Sequence, residues 1–260
     1  MKSSIFSFFL CLIVLSACST SSTDIISSPP TVVTKLTPTP TALPHPGWYQ
    51  ERSIVWSGYS SPQGGILGVR SQWIEPQVSG GPNSNLFIWI GVGGWGQTLN
   101  ELVQIGTLAY TDTTGQTAHK VWYETVPQLS TLTSMIVYPG DNIAALMELE
   151  PGSTRDWHLS LHDITQNTSF AINVSYPSSQ VYADFIVEDP HEGSTDLSAP
   201  LYPFQQFTSV SFTGAQVHYA NGWYSIGSLR MMQVTMVQDG KTVAYPGDIT
   251  LPDSFSITHA

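Results

Sequence analysis

The sequence predicts an all-β fold, a sandwich or a barrel, and three observations carry that prediction. From Trp48 onward, short β-branched and aromatic runs alternate with Gly, Pro, Asn and Asp turns. Several of those runs alternate apolar and polar residues with period two, as half-buried strands do. No window shows sustained helical periodicity, and the runs recur roughly a dozen residues apart, the spacing of sandwiches and barrels.

In chain order, strands are expected at residues 66–69, 86–90, 121–124, 134–138, 143–147, 158–161, 169–174 and 209–212. At the end, residues 231–237 and 241–245 flank Asp239-Gly240, a two-residue hairpin signal. No internal repeat and no second folded domain is visible. One β domain is therefore expected over residues 47–260, long enough for one sizeable core.

The N-terminus has a different texture. Lys2 precedes an apolar run from Ile5 to Leu15 that is too short to span a bilayer but suits the apolar region of a signal peptide. It ends in Leu15-Ser16-Ala17-Cys18, which resembles a bacterial lipobox. Residues 1–17 are read as a signal peptide, and Cys18 as the lipidated first residue of the mature chain. Residues 18–46 then carry Ser28-Pro29-Pro30 and Thr37-Pro38-Thr39-Pro40-Thr41, the composition of an extended, solvated tether. The expected location is the extracellular side of a bacterial cell membrane, held by a lipid anchor. Free secretion after an ordinary signal cut is the alternative. Cys11 leaves with the signal and Cys18 takes the lipid, so the folded part has no disulfide, cysteine nucleophile or cysteine metal site.

Charge is sparse and acidic. Charged residues make up 10% of the chain, against about 25% in an average domain. Without Lys2, the 8 basic residues fall to 7 against 19 acidic ones, a formal charge of −12. That excludes nucleic acid as a partner, because phosphate binding needs clustered Lys and Arg. A fold that relies on few ion pairs also loses little when its carboxylates protonate.

Several familiar signatures fail in context. Gly91, Gly93 and Gly96 spell G-x-G-x-x-G, but Trp95 interrupts it and turn-forming sequence follows, so a β-turn region is expected. Asp112-Thr113-Thr114-Gly115 is one residue too long for an aspartic-protease loop. There is no H-E-x-x-H and no G-x-S-x-G elbow. His158 and His162 lie in strand-like sequence, and no metal or other cofactor is expected.

Read together, the strand motifs resemble the glutamic peptidases (eqolisins), first known as acid proteases of filamentous fungi, with relatives in bacteria. Six pieces carry the resemblance, in order, from about Trp56 nearly to the C-terminus. They are Trp89-Ile90-Gly91-Val92-Gly93-Gly94, Leu102-Val103-Gln104-Ile105-Gly106, Trp122-Tyr123-Glu124-Thr125-Val126-Pro127, Gly140-Asp141-Asn142-Ile143, Ala183-Asp184-Phe185-Ile186-Val187-Glu188-Asp189-Pro190 and Pro203-Phe204-Gln205-Gln206-Phe207. Three positions depart from the family pattern. Gly93 and Lys120 stand where the family has Asp, and Asp184 stands where it has Glu.

The resemblance implies an antiparallel β-sandwich of two large curved sheets, a concanavalin A-like or glucanase-like jelly roll with a concave groove. It implies a monomeric endopeptidase acting on polypeptides of the extracellular space at acidic pH. Glu188 maps to the catalytic glutamate and Gln104 to the catalytic glutamine. Trp89, Glu124 and Trp122 are the expected substrate-binding and supporting residues, with Tyr123 turned into the core by strand alternation.

The chemistry of these residue types is coherent. A glutamate can take a proton from water and return it to the leaving amine. It stays ionised well below neutrality, near a reference pKa of about 4.3. A glutamine offers an N–H to a developing oxyanion and a carbonyl oxygen to orient water. A non-catalytic cell-surface sandwich that binds glycans or peptides is the main rival. A glycosidase using Glu124 and Glu188 is a third reading.

Overall fold

The structure is a computed structural model that describes residues 49–96, 100–192 and 198–260. The signal peptide, Cys18 and the tether expected above lie outside the described residues. The strands are β1 (Tyr49–Ser53), β2 (Trp56–Ser61), β3 (Gly68–Ile74), β4 (Val78–Ser79), β5 (Asn85–Gly93) and β6 (Leu102–Thr111). Next come β7 (Thr117–Thr125), β8 (Thr131–Ile136), β9 (Asn142–Leu149), β10 (Asp156–Asp163), β11 (Thr168–Ser175) and β12 (Ala183–Glu188). The last are β13 (Gln206–Phe207), β14 (Val210–Tyr219), β15 (Gly222–Ser225), β16 (Met232–Gln238), β17 (Lys241–Pro246) and β18 (Phe255–His259). Among the described residues the helical content is single turns such as Ile226–Ser228.

The main hydrogen-bonded path runs β11-β10-β9-β3-β14-β18-β17-β16-β2-β12-β5-β6-β7-β8, antiparallel throughout. Its two halves face each other. β3 and β9 lie over β5, β10 lies over β6, and β11 lies over β8. The expected two curved sheets are therefore the two layers of one path, continuous along one side through β18, β17, β16 and β2. β1 adds to β16 in parallel.

Period-two patterning explains the layers. β9 buries Ile143, Ala145, Met147 and Leu149, and β10 buries Trp157, Leu159 and Leu161. They meet Ile88, Ile90, Val103, Ile105 and Val121 of the opposite layer in one core. Fully burying one such aliphatic side chain stabilises by about 1.5–3 kcal/mol. The β5–β6–β7–β12 layer is covered on its outer face too, where Trp89, Leu102, Leu108, Trp122 and Ile186 form a second apolar cluster. Strands buried on both faces read as near-continuous apolar runs, which is why residues 86–90 look so uniform.

Polar groups tie the layers together. Glu75, just past β3, is 1% exposed. Its Oε1 lies 2.7 Å from His119 Nδ1, and its Oε2 accepts from Thr107 Oγ1 at 2.7 Å and Trp73 Nε1 at 3.3 Å. Both carboxylate oxygens are thus satisfied, as burial demands.

The structure adjusts several expected elements. The 66–69 run gives only the start of β3, because Ile66 plugs the core while its N–H bonds the Gln180 carbonyl. The 134–138 run is shifted, with β8 beginning at Thr131. The Asp239-Gly240 hairpin forms as expected, with Gln238 opposite Lys241 and both turn residues at positive φ. Gly91 and Gly93 sit in β5 and no helix follows among the described residues, so the G-x-G-x-x-G pattern is strand and turn.

Candidate active site

The site lies on the outer face of the doubly covered layer. Registry brings Asp184, Gly91, Gln104 and Glu124 into one row across β12, β5, β6 and β7. The next row is Ile186, Trp89, Gly106 and Trp122, and the third holds Trp56, Glu188, Phe87 and Leu108. Glu188 and the Gln104–Glu124 pair thus flank a floor of indole rings.

Two glycines make room for that floor. A Cβ on Gly91 would sit 2.8 Å from the Trp89 ring, and one on Gly106 would sit 1.9 Å from the Ile88 carbonyl oxygen. With those positions bare, the Trp89 ring lies against Gly91 and its Nε1 donates to Glu188 Oε2 at 2.7 Å. Trp56 packs edge-on against both Trp89 and Trp95, with centroids 5.2 and 5.0 Å away. Its own N–H is directed toward Glu188 but falls short of hydrogen-bond geometry.

Electrostatics set the carboxyls apart from ordinary ones. Burial lifts Glu188 to about 8, with the neighbouring Glu124 charge adding to the rise and the indole N–H groups opposing it. Glu188 keeps some surface open to the groove, although its carboxyl is enclosed. Burial likewise raises Glu124 to about 7, against the Gln104 N–H that donates to its Oε2 at 2.6 Å. Asp184, wholly buried, is pushed up to about 8 although Trp95 Nε1 donates to it at 2.9 Å. Asp189 rises to about 7 by burial, held by Gln238 Nε2 at 2.7 Å.

A groove with two arms runs over these groups. One arm, about 460 Å³, is lined by Phe87, Leu108, Tyr110, Trp122 and the rim residues Leu129 and Leu132. The other, about 240 Å³, is lined by Ile54, Trp56, Trp95, Leu102, Gln104 and Val126. Glu124, Glu188 and His191 belong to both.

The residues singled out in the sequence come together here with altered placements. Gln104 is 3% exposed, one N–H engaged by Glu124 and its Oε1 without a partner among the described residues. Trp122 lines the larger arm. Trp89, expected to line the groove, is fully buried beneath it and touches Glu188 instead. Tyr123 turns to the core side and stacks on Phe170. Gly93, where the family pattern has Asp, has φ +113° and its absent Cβ would fall 1.6 Å from the Glu101 carbonyl oxygen, so no side chain fits. Lys120 opposes Leu108 and lines neither arm.

Sequence reasoning passed over Trp56, Trp95 and His191. Trp56 and Trp95 are distant from Glu188 in the chain and only the tertiary fold assembles them, whereas His191 lies three residues past it but in no recognised motif. Among the described residues no three His, Cys, Asp or Glu side chains group as a metal site would need.

The curved antiparallel sandwich thus carries one groove in which a carboxyl and a carboxamide are brought together. The chain belongs to the Peptidase A4 family, whose profile matches residues 55–259, and it is a hydrolase of the glutamic-peptidase kind. Solved structures share the fold. Scytalido-glutamic peptidase with a transition-state analogue inhibitor is 20% identical with a TM-score of 0.70, covering 80% of this chain and 98% of that one. SCP-B, an eqolisin in complex with the tripeptide Ala-Ile-His, is 20% identical with a TM-score of 0.68, over 80% and 98% of the two chains. Aspergilloglutamic peptidase from Aspergillus niger is 23% identical with a TM-score of 0.58, over 68% and 99%. No curated protein matches the chain.

Proposed function

We propose that this protein is an endopeptidase that cuts extracellular polypeptides by direct attack of water, with Glu188 as general base and acid and Gln104 as oxyanion donor. The observation that carries the reading is the convergence of both side chains on one groove, each leaving capacity unused. Gln104 commits one N–H to Glu124, which leaves its second N–H and its Oε1 for substrate and water.

The steps balance. Water gives a proton to the Glu188 carboxylate as its oxygen adds to the scissile carbonyl carbon. The oxyanion is held by the free Gln104 N–H. Protonated Glu188 then donates to the amide nitrogen as the C–N bond breaks, and Glu188 returns ionised. The raised proton affinity of Glu188 makes its carboxylate a stronger base than a free one, but it reduces the ionised fraction in acid. In the empty groove the ionised fraction falls about tenfold per pH unit below about 8. Substrate contacts that lower that affinity would extend action toward acid pH. The limb of kcat/KM, which reports free enzyme, then lies above that of kcat.

The lipid anchor at Cys18 and the extracellular location belong to the same proposal. They rest on the N-terminal sequence, and mass spectrometry of the mature N-terminus tests them.

Purified full-length protein is incubated with denatured protein from about pH 2 to about pH 9. Hydrolysis that is lost in Glu188→Gln and falls about 100- to 1000-fold in Gln104→Ala, both variants folded, supports the pair. No cleavage at any pH refutes the function, and full activity in Gln104→Ala refutes the role of Gln104.

A further inference from the structure

One of the polar groups along the groove that the mechanism above does not use is His191. His191 lies three residues past Glu188 and, with Glu124 and Glu188, is one of the residues common to both arms. Glu188, the proposed base, lines the same junction, so His191 shares the stretch of groove that the proposed chemistry occupies.

Its environment fixes what it can offer. The Pro190–Glu192 segment runs antiparallel to Pro200–Tyr202, through the Glu192 N–H to the Pro200 carbonyl at 2.8 Å and the Tyr202 N–H to the Pro190 carbonyl at 3.1 Å. That frame brings His191 Nδ1 to 2.6 Å from the Ala199 carbonyl oxygen. A carbonyl only accepts, so Nδ1 carries the hydrogen, and in the neutral ring Nε2 presents a lone pair. The residue is 7% exposed, and Nε2 has no hydrogen-bond partner among the described residues. A buried polar atom without a partner is costly and uncommon.

It is not alone. Trp122 Nε1 on the floor of the larger arm and Gln104 Oε1 in the smaller arm are also buried and, among the described residues, unpartnered. Donors and acceptors left open along one groove match an extended polypeptide, whose main chain presents alternating C=O and N–H groups.

Resting on the peptidase reading, we propose that His191 is a substrate-binding residue, its Nε2 accepting a main-chain N–H of the bound polypeptide next to the scissile bond. The contact is shielded from water, where a hydrogen bond is strongest. It reads the main chain and not a side chain, so it fixes the register of the substrate over Glu188 without selecting its sequence.

The test measures binding separately from catalysis. Full-length protein carrying Glu188→Gln, which leaves a peptide uncut, is titrated with an unstructured octapeptide and a series of singly N-methylated versions, followed by tryptophan fluorescence. His191→Asn is added because the Asn amide can still donate to the Ala199 carbonyl while withdrawing the acceptor at the Nε2 position. His191→Gln restores an acceptor at about that reach.

We expect His191→Asn to weaken binding about tenfold, as loss of one hydrogen bond does. One N-methyl position should cost the His191 protein about tenfold and the His191→Asn protein nothing further, with His191→Gln partly restoring the difference. A Kd unchanged by His191→Asn, or N-methyl effects that multiply independently at every position, overturns the proposal. Because binding is read in an uncleaving background, failure of the peptidase reading shows separately, as a wild-type protein that cuts nothing.

Discussion

The same two strands serve two opposite faces of the molecule, and the contrast separates structure from chemistry. Inward, β6 and β7 present Thr107 and His119, which with Trp73 occupy both oxygens of Glu75. Outward, they present Gln104 and Glu124, which bond each other and leave Gln104 Oε1 open. Across the groove, Glu188 receives a single full hydrogen bond among the described residues, from Trp89. Glu75 is buried to hold two layers in register. Glu188 keeps some surface in the groove and has fewer donors, and burial of its carboxyl, with the Glu124 charge nearby, raises its proton affinity. Stability comes from satisfying buried polar groups, whereas a reactive site keeps some of them waiting.

The contrast can be broken on either face. The largest effect is expected from His119→Leu, which strips a partner from buried Glu75. Leaving a buried polar group short of a hydrogen-bond partner costs about 1–3 kcal/mol, measured by urea unfolding, while activity per folded molecule is retained. A loss below about 1 kcal/mol would show that the inner network is expendable.

Next comes Trp89→Phe, which keeps a ring on the floor but removes the N–H that favours ionised Glu188. We expect kcat/KM to fall about tenfold at acid pH and the ascending limb of its profile to move to higher pH. An unmoved limb would mean that Trp89 only fills space.

The smallest effect sharpens the electrostatic side. Glu124, Asp184, Glu188 and Asp189 all have folded-state pKa values raised to about 7 or 8 by burial. Between about pH 4, where such groups titrate in the unfolded chain, and about pH 8, the folded state binds more protons than the unfolded one. Their contribution is therefore fully present in acid and is lost as pH rises through the folded values. Calorimetry should show Tm falling over that window. Glu188→Gln, which cannot ionise, should flatten the fall. A Tm that climbs steadily from pH 4 to pH 8 would contradict the assignment.

How far the sequence could be read depended on what each residue's neighbours were. β9, β10, β11, β16 and β17 were legible because each alternates between core and solvent. β2 was not, since Ser57, Gly58, Ser60 and Ser61 look like a turn yet are buried between β12 and β16. Gly58 is needed there because a Cβ would fall 2.1 Å from the Phe185 carbonyl oxygen, a contact no local pattern records. In the site, Glu188, Gln104, Glu124 and Trp122 were found through ordered motifs. The burial of Trp89 under Glu188 was not, because strand alternation gives the face of a side chain but not its depth.

By itself, then, the sequence determined the all-β class and the positions of the strands that alternate with period two, and its family motifs picked out Gln104 and Glu124, whose placement side by side on adjacent strands came from the structure. Period two and turn chemistry act within a few residues, so they survive without a structure. The tertiary fold alone decided that β12 lies beside β5, that Trp56 and Trp95 close over the Glu188 strand, and that His191 stands at the junction of the two arms. Those contacts join residues distant in the chain, and they exist only once the two layers have packed.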